Sequence, residues 1–460
     1  MLDHVVFKGN WWLPSNPDEQ VSGSLTFSQD DGAILELVGV FGTERSQKIE
    51  QPKIILGFTQ EGKIITLQDC AYTSVTYPLI GLGGARYRVK FVFENVHFSS
   101  EDDIKFNQLC GGFTDLDTWV NIHGFSIEHN ITEKKYEFTI NYVKPESRFI
   151  KTDDDDEVGI GFSSHGPIRS IVQSEVKISQ KTYLVVKSNK GDVPFEYLHT
   201  LLSKFSHLFQ IAIQRIAYPT TIFGFTQANA EMREEQEPYF PEVKIYYQPI
   251  EAYVEKKPLI PQDMLFSFGD LDENQIENWF KRYDQYQAPI HLHRSLYYSS
   301  RLFIETRFLN VAQALESLHS ILFDNQYIPK DEFKRRKEIL LNATPDELKD
   351  WTIEILAGAN YKRFKLKILE LIEKKESLLS ECILDKERFV QHIRDTRNEF
   401  VHQSKQKWTL HKKEELASAI FLLSYLFEAY LLEIIGFSDE EIIELFKPRI
   451  KKYLSRWKIF

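Results

Sequence analysis

The chain has 460 residues, a formal net charge of −11 and 42% hydrophobic residues. That length suits two or three domains with packed cores, so disorder is not the default. The acidic balance argues against a generic nucleic-acid coat, but not against RNA at one locally basic site. The start, MLDHVVFKGN, lacks the charged head and apolar core of a signal peptide. No unbroken run of 18 apolar residues points to a membrane span. Cys70, Cys110 and Cys382 lie far apart without metal-ligand spacing. The expectation is a reduced, cytoplasmic protein with buried thiols and no membrane, metal or cofactor.

Residues 1–255 read as mostly β. Strands are predicted over 21–28, 34–41, 53–59, 63–69, 87–98, 117–128, 136–142, 176–187 and 243–248. Those stretches are rich in Val, Ile, Phe, Tyr and Thr, and Gly, Asp, Asn or Pro separates them. Such spacing predicts an antiparallel sandwich or barrel-like sheet. One helix, 195–217, interrupts it, with Leu198, Leu201, Leu202, Phe205, Leu208, Phe209 and Ala212 on one stripe. Three local features read most simply as structure. Gly81, Gly83 and Gly84 lack the third glycine and βαβ lead-in of a dinucleotide loop, so a turn is expected. The run from Asp153 to Glu157 lacks the alternating ligand spacing of a calcium loop and reads as solvated. Trp11 and Trp12 read as packing at a sheet edge rather than as a ligand platform.

Two prolines and neighbouring charges mark 251–263 as a connector. Beyond it, 262–460 reads as helical, over 273–286, 290–322, 330–342, 345–357, 362–374, 385–403, 412–435 and 439–454. Thr344, Pro345 and Glu347 have capping-box spacing, and Gly436 follows an apolar run as a helix stop. His291 and His293 are one residue apart, so their rings diverge on a helix, and no third zinc ligand is in sight. The fold class is therefore α+β and multidomain: a β-rich N-terminal domain, then an all-α bundle with its core at about 300–460.

The helix predicted over 385–403 carries Arg397, Asn398 and His402. Val390, Ile393, Phe400 and Val401 recur on it at three- to four-residue steps. Arg397 falls inside that stripe, where a guanidinium is costly to desolvate unless an anion, an acceptor or a wet cleft receives it. Asn398 and His402, four apart, share an adjacent face. Read blandly, Arg397 is a satisfied interior cation and His402 a helix C-terminal residue favoured by the dipole. From Glu381 to Lys413, eight basic side chains outnumber five acidic ones.

The motif Arg397-Asn398-x-x-x-His402 resembles the Arg-x4-6-His motif of HEPN domains, including the polar residue that ribonuclease members usually carry after Arg. The surround is similar to the ApeA-like branch. So is FLNVAQALESLHS (308–320), with Leu309, Ala312, Leu315 and His319 at helical steps. The opening, with Trp11, Trp12, Pro14, Gly23, Leu25, Phe27, Leu35, Leu37 and Gly39, resembles the ApeA N-terminal domain over about residues 5–250. The resemblance implies a sensing or regulatory front half and a helical half that cuts RNA in abortive infection, without metal. Within that expectation Arg397, Asn398 and His402 are catalytic. Glu316 and His319 are either partners of Arg397 or His402, or a surface acid and a core-edge imidazole. Arg394 would position RNA phosphate. A homodimer through the HEPN domain, with the two Arg397–His402 motifs facing each other, is expected because one histidine per chain is too few for separate acid and base. A phage-derived trigger would act on the front half. The alternative is a non-catalytic HEPN module that binds a nucleotide or a protein, with the motif structural.

Overall fold

Six strands at the front of the chain close on themselves: β1 (Val5–Leu13), β2 (Asn16–Ser28), β3 (Gly32–Leu37), β4 (Ile54–Thr59), β5 (Ile64–Thr76) and β6 (Gly84–Glu94). The computed structural model describes residues 4–457 apart from 43–50, 77–82, 133–134, 153, 170–175, 232–237, 250–252, 299–301 and 404. β6 pairs with β3 on one side and β5 on the other, and the circuit β3-β2-β1-β4-β5 completes a closed antiparallel barrel. Alternate side chains point inward, as the two-residue period of a strand requires. Trp11, Leu25, Phe27, Leu35, Ile55, Ile65 and Leu67 fill the interior. A Cβ at Gly57 would fall 2.3 Å from the Trp11 ring, so the glycine makes room for the indole. Trp11 is thus a core residue, while Trp12 stands edge-on to His97 at 5.5 Å.

Beyond the barrel come β7 (Lys105–Phe106), β8 (Gln108–Phe113), α1 (Leu116–Val120), β9 (Phe125–Thr132), β10 (Lys135–Tyr142), β11 (Arg148–Lys151), β12 (Glu157–Arg169), β13 (Val176–Lys187), β14 (Val193–Pro194), α2 (Phe195–Ile213), β15 (Pro219–Phe225) and β16 (Val243–Tyr247). After pairing with β3, β6 continues past it to pair with β16. From there the sheet runs on through β15, β8, β13 and β12 to β11. Phe93, Phe98, Phe106 and Phe195 cluster at ring distances of 5.1–5.9 Å, joining β6 to the start of α2. The barrel confirms the expected antiparallel β architecture. One predicted strand is corrected. Residues 117–128 do not form one strand, because Leu116, Trp119 and Val120 bury together as the short helix α1, which ends at left-handed Asn121. Strands β1, β7, β8, β11, β12, β14 and β15 have no counterpart in the prediction. The glycines at 81–84 fall partly outside the described residues, as does Asp153 of the acidic run. Within that run, Asp156 is buried and accepts a hydrogen bond from the Tyr197 hydroxyl.

The two compact units divide between Phe280 and Lys281, past the connector expected at 251–263. That division falls inside α3 (Glu273–Tyr298), which is continuous through Pro289. The break predicted near 287–289 is absent because Tyr283, Tyr286, Ile290 and His293 bury at helical steps across the proline. The remaining helices are α4 (Ile304–Leu322), α5 (Lys330–Ala343), α6 (Lys349–Ala357), α7 (Phe364–Lys374), α8 (Glu376–Leu379), α9 (Lys386–His402), α10 (Lys413–Ile435) and α11 (Asp439–Leu454). The capping box at Thr344 does not form. Pro345 keeps Thr344 extended, and the Thr344 hydroxyl donates back to the Leu340 carbonyl of α5. Gly436, with φ 113°, does end α10. α10 is long and apolar enough to cross a bilayer by composition, yet 89% of its apolar window is buried in the protein, as befits a core helix. α4 packs against α10 on one side and against α7 and α9 on the other, which also pack on each other.

Candidate active site

α9 starts where the Asp385 carboxylate accepts the Arg388 N–H at 2.9 Å, and it ends at Gln403 with φ 52°. No Gly or Pro interrupts it. Its buried face is Phe389, Val390, Ile393, Asp395 and Thr396. The apolar stripe therefore stops a turn earlier than the sequence suggests: Phe400 is half-buried and Val401 exposed. The two turns after Ile393 serve polar contacts instead. Asp395 accepts from Gln391 Nε2 at 3.1 Å, from Arg394 at 2.6 and 3.0 Å, and from the Trp408 N–H at 3.3 Å. Thr396 accepts the Leu410 N–H at 2.9 Å. Glu399 accepts the Thr409 hydroxyl at 2.6 Å. That bond, with the Gln406 N–H, holds its carboxyl below the usual range. The chain after α9 is thus tied back along the helix.

Arg397 leans the other way. Its guanidinium reaches Glu316 on α4 at 3.0 Å and lies 4.8 Å over the Phe364 ring of α7. Both members of the ion pair are about three-quarters buried. This supplies the anion that a cation in that position needs. Next to the pair, Lys367 donates to Ser320 at 2.9 Å. Burial lowers the Lys367 pKa, opposed by Glu316 and helped by Arg397.

The pair opens onto a cleft of about 630 Å³. Arg363, Lys365, Arg394, Arg397 and Asn398 line it with Phe364, Tyr327, Glu316 and Glu387. Four cations therefore face two carboxylates. Lys365 is paired with Glu387 at 2.8 Å, and Arg394 is held by Asp395. Such a cleft, basic with an aromatic floor, suits a phosphorylated ligand that carries a flat ring.

The structure brings Arg397, Asn398, Arg394 and Glu316 to this cleft. His402 and His319 lie elsewhere. His402 is the exposed last residue of α9 and does not line the cleft. Five positions on a helix place it about 7.5 Å along the axis and roughly 140° around it from Arg397. His319 does not reach Arg397 or His402, and its place is that of an imidazole packed in the core beside a partly exposed carboxylate. It is fully buried and donates its Nε2–H to the Glu370 carboxylate at 2.7 Å, and Glu370 in turn accepts from Lys362 at 2.7 Å. Burial lowers the His319 pKa against the pull of Glu370. For Glu370, burial is outweighed by hydrogen bonds from Lys362 and His319, and its pKa falls. The sequence reading missed the α7 wall. Its signal was present in the alternating bases Lys362, Arg363, Lys365 and Lys367 around Phe364. His291 and His293 go to different partners, the Tyr283 hydroxyl and the buried Glu428. Among the described residues, no three His, Cys, Asp or Glu side chains are placed to hold a metal ion.

A family model of the ApeA N-terminal domain 1 matches residues 6–280, and one of the Apea-like HEPN domain matches residues 309–441. The chain belongs to the ApeA-like HEPN family. The first match spans the barrel-bearing unit, and the second runs from α4 into α11, so it contains the cleft and the Arg397–His402 motif. This pairing suggests an anti-phage HEPN effector, and HEPN domains are commonly nucleases that act on RNA. No curated protein and no solved structure matches the chain.

Proposed function

We propose that this ApeA-like protein is a metal-independent endoribonuclease that acts in abortive infection. The observation that carries the reading is Arg397: a nearly interior guanidinium, fixed by Glu316 and Phe364, at the wall of a basic cleft beside Asn398. Its planar fork would hold the non-bridging oxygens of a scissile phosphate and stabilise the charge of the pentacoordinate state. His402 would take the 2′-hydroxyl proton or give one to the leaving 5′-oxygen. Asn398, one turn before His402, would orient the phosphate or the imidazole. The products would be a 2′,3′-cyclic phosphate and a 5′-hydroxyl.

His402 is exposed at the helix end and faces away from Arg397 of its own chain. That supports a site composed by two chains in a homodimer, in which each supplies one imidazole. The 1–280 unit would sense a phage-derived trigger, and the protein would act in the cytoplasm. The test is cleavage of RNA by purified protein in EDTA, with Arg397→Ala and His402→Ala alongside. Loss in both variants with the fold kept supports the reading. Cleavage by His402→Ala at the parent rate sinks it.

A second reading also has an observation behind it. Arg397 is satisfied within the chain by Glu316, and His402 sits where the helix dipole favours a cation. In a non-catalytic HEPN module the same cleft would bind a nucleotide or a protein without cutting. Tight binding of RNA with no new 5′-hydroxyl ends would favour it.

A further inference from the structure

β9 and β10 form a two-stranded ribbon that, among the described residues, no third strand extends. Its register is continuous from Phe125↔Tyr142 to Thr132↔Lys135. Directly paired residues share a face, so the register sorts the side chains completely. One face carries Phe125, Ile127, His129 and Ile131 opposite Tyr142, Ile140, Phe138 and Tyr136. The other carries only polar residues, among them Glu128, Glu137 and Lys135. Both faces stand exposed along the ribbon, and on the apolar one Ile127 is 58% exposed, Ile131 70%, Tyr136 64%, Phe138 55% and Ile140 51%. The base of the ribbon is tied to β13 by Gln180, which accepts the Gly124 N–H at 3.0 Å and donates to the Ile122 carbonyl at 2.8 Å.

A two-stranded ribbon alone is marginal in water, and a contiguous apolar patch marks an interaction site. We propose that the apolar face of this ribbon docks on the same face of a second copy of the chain, about a two-fold axis. Two features select that occupant. The face carries no permanent charge, so two copies meet without like-charge repulsion or unpaired ions, and self-complementarity is what a two-fold interface demands. The area is also sufficient. Large apolar side chains so exposed present on the order of 100 Å² each, so the face offers roughly 600–700 Å² per copy. That approaches the approximately 800 Å² per partner of a standard stable interface. A lipid surface is a poorer fit, because the flanking polar face has two glutamates against one lysine where anionic lipid calls for basic residues. The proposal does not rest on the nuclease reading or on any pairing of the helical units.

The test is amide hydrogen exchange of the full chain at increasing concentration, with mass by sedimentation. Exchange across 125–142 should slow at least tenfold as the dimer fills. Ile131→Glu with Phe138→Glu should remove that concentration dependence while exchange in α9 follows the parent. Ile131→Ser should weaken it in part should the double variant unfold the ribbon. Thr139→Lys, on the polar face opposite Glu128, should keep it. Ribbon exchange in the parent that ignores concentration overturns the proposal, whether fast because nothing covers the face or slow because the chain covers it itself. Protection that appears only with phosphatidylcholine vesicles also overturns it.

Discussion

Arg397 is held by a carboxylate on one helix and a ring on another, and this decides what its removal does. A charge-assisted hydrogen bond contributes about 1.5–3 kcal/mol and a cation–π contact about 0.5–1 kcal/mol. Arg397→Ala should therefore destabilise the protein by about 2 kcal/mol, by chemical denaturation, rather than relieve an apolar stripe of a cation. A double-mutant cycle with Glu316→Ala should return a coupling of about 1 kcal/mol, and additive effects would mean that the pair is incidental. His402→Ala should melt like the parent, since the side chain is exposed, while under the nuclease reading RNA cleavage should fall by roughly 10²–10⁴. His319 gives a pH prediction. Its Nδ1 is buried with no partner, so protonation would place a donor where no acceptor waits. Its folded pKa lies below the ordinary 6.5, chiefly through burial, so the unfolded chain takes the proton first. Its contribution is thus intact above pH 6.5 and lost as pH falls through the folded pKa. Urea midpoints from pH 8 to 5 should fall less for His319→Gln, which keeps a donor for Glu370 but does not titrate. Parallel curves would refute the assignment.

At the scale of the element, α9 couples the cleft to the chain that follows it. Asp395 is the joint: one buried carboxylate serves Arg394, Gln391 and the Trp408 N–H. Asp395→Ala strands those donors and should cost about 2–4 kcal/mol, with faster amide exchange across 405–410. Unchanged exchange there would show that the return segment is held without Asp395, by Thr396, Glu399 and the contact of His392 with the Trp408 carbonyl. This helix was legible in the sequence because its cap, its period and its lack of breakers agree. Its burial was less so, since an apolar residue such as Val401 at the right step near a helix end need not find a partner. Glu316 was legible as a potential partner of Arg397 because both belong to helices of the same bundle. His319, one turn from Glu316, was not assignable, because its partner Glu370 lies on α7 and only tertiary packing brings it near. The same limit explains α1 and Pro289. Alternation around Trp119 imitates a strand, and a proline reads as a break, until buried neighbours override both. Barrel closure was equally hidden, since strand periodicity reports faces and not which strands become neighbours.

At the scale of the molecule, the unit boundary and the chain count both have consequences. Leu265, Phe266, Phe268, Leu271 and Trp279 are buried within the first unit, where Trp279 donates to the Lys204 carbonyl and Phe268 meets Trp119. A fragment starting at 256 would expose them, so it should bind hydrophobic dye and aggregate, whereas one starting at 281 should not. Equal solubility of the two would refute that boundary. The count of chains per site follows from the histidines. Under the nuclease reading a cyclising cleavage needs a base and an acid, and each chain brings one His402. Arg397 cannot substitute, because a guanidinium does not release its proton near neutrality. A His402→Ala chain that still folds and pairs should therefore poison its partner. Mixed with the parent by co-refolding or co-expression at rising ratios, it should lower cleavage as the square of the parent fraction, so that equal amounts leave about a quarter of the activity rather than half. A strictly linear fall would mean that each chain cuts with its own imidazole, and the composite site would be wrong even with the nuclease assignment intact. No activity at any ratio, in a parent of proven fold and dimer mass, would instead move the protein to the binding-module reading.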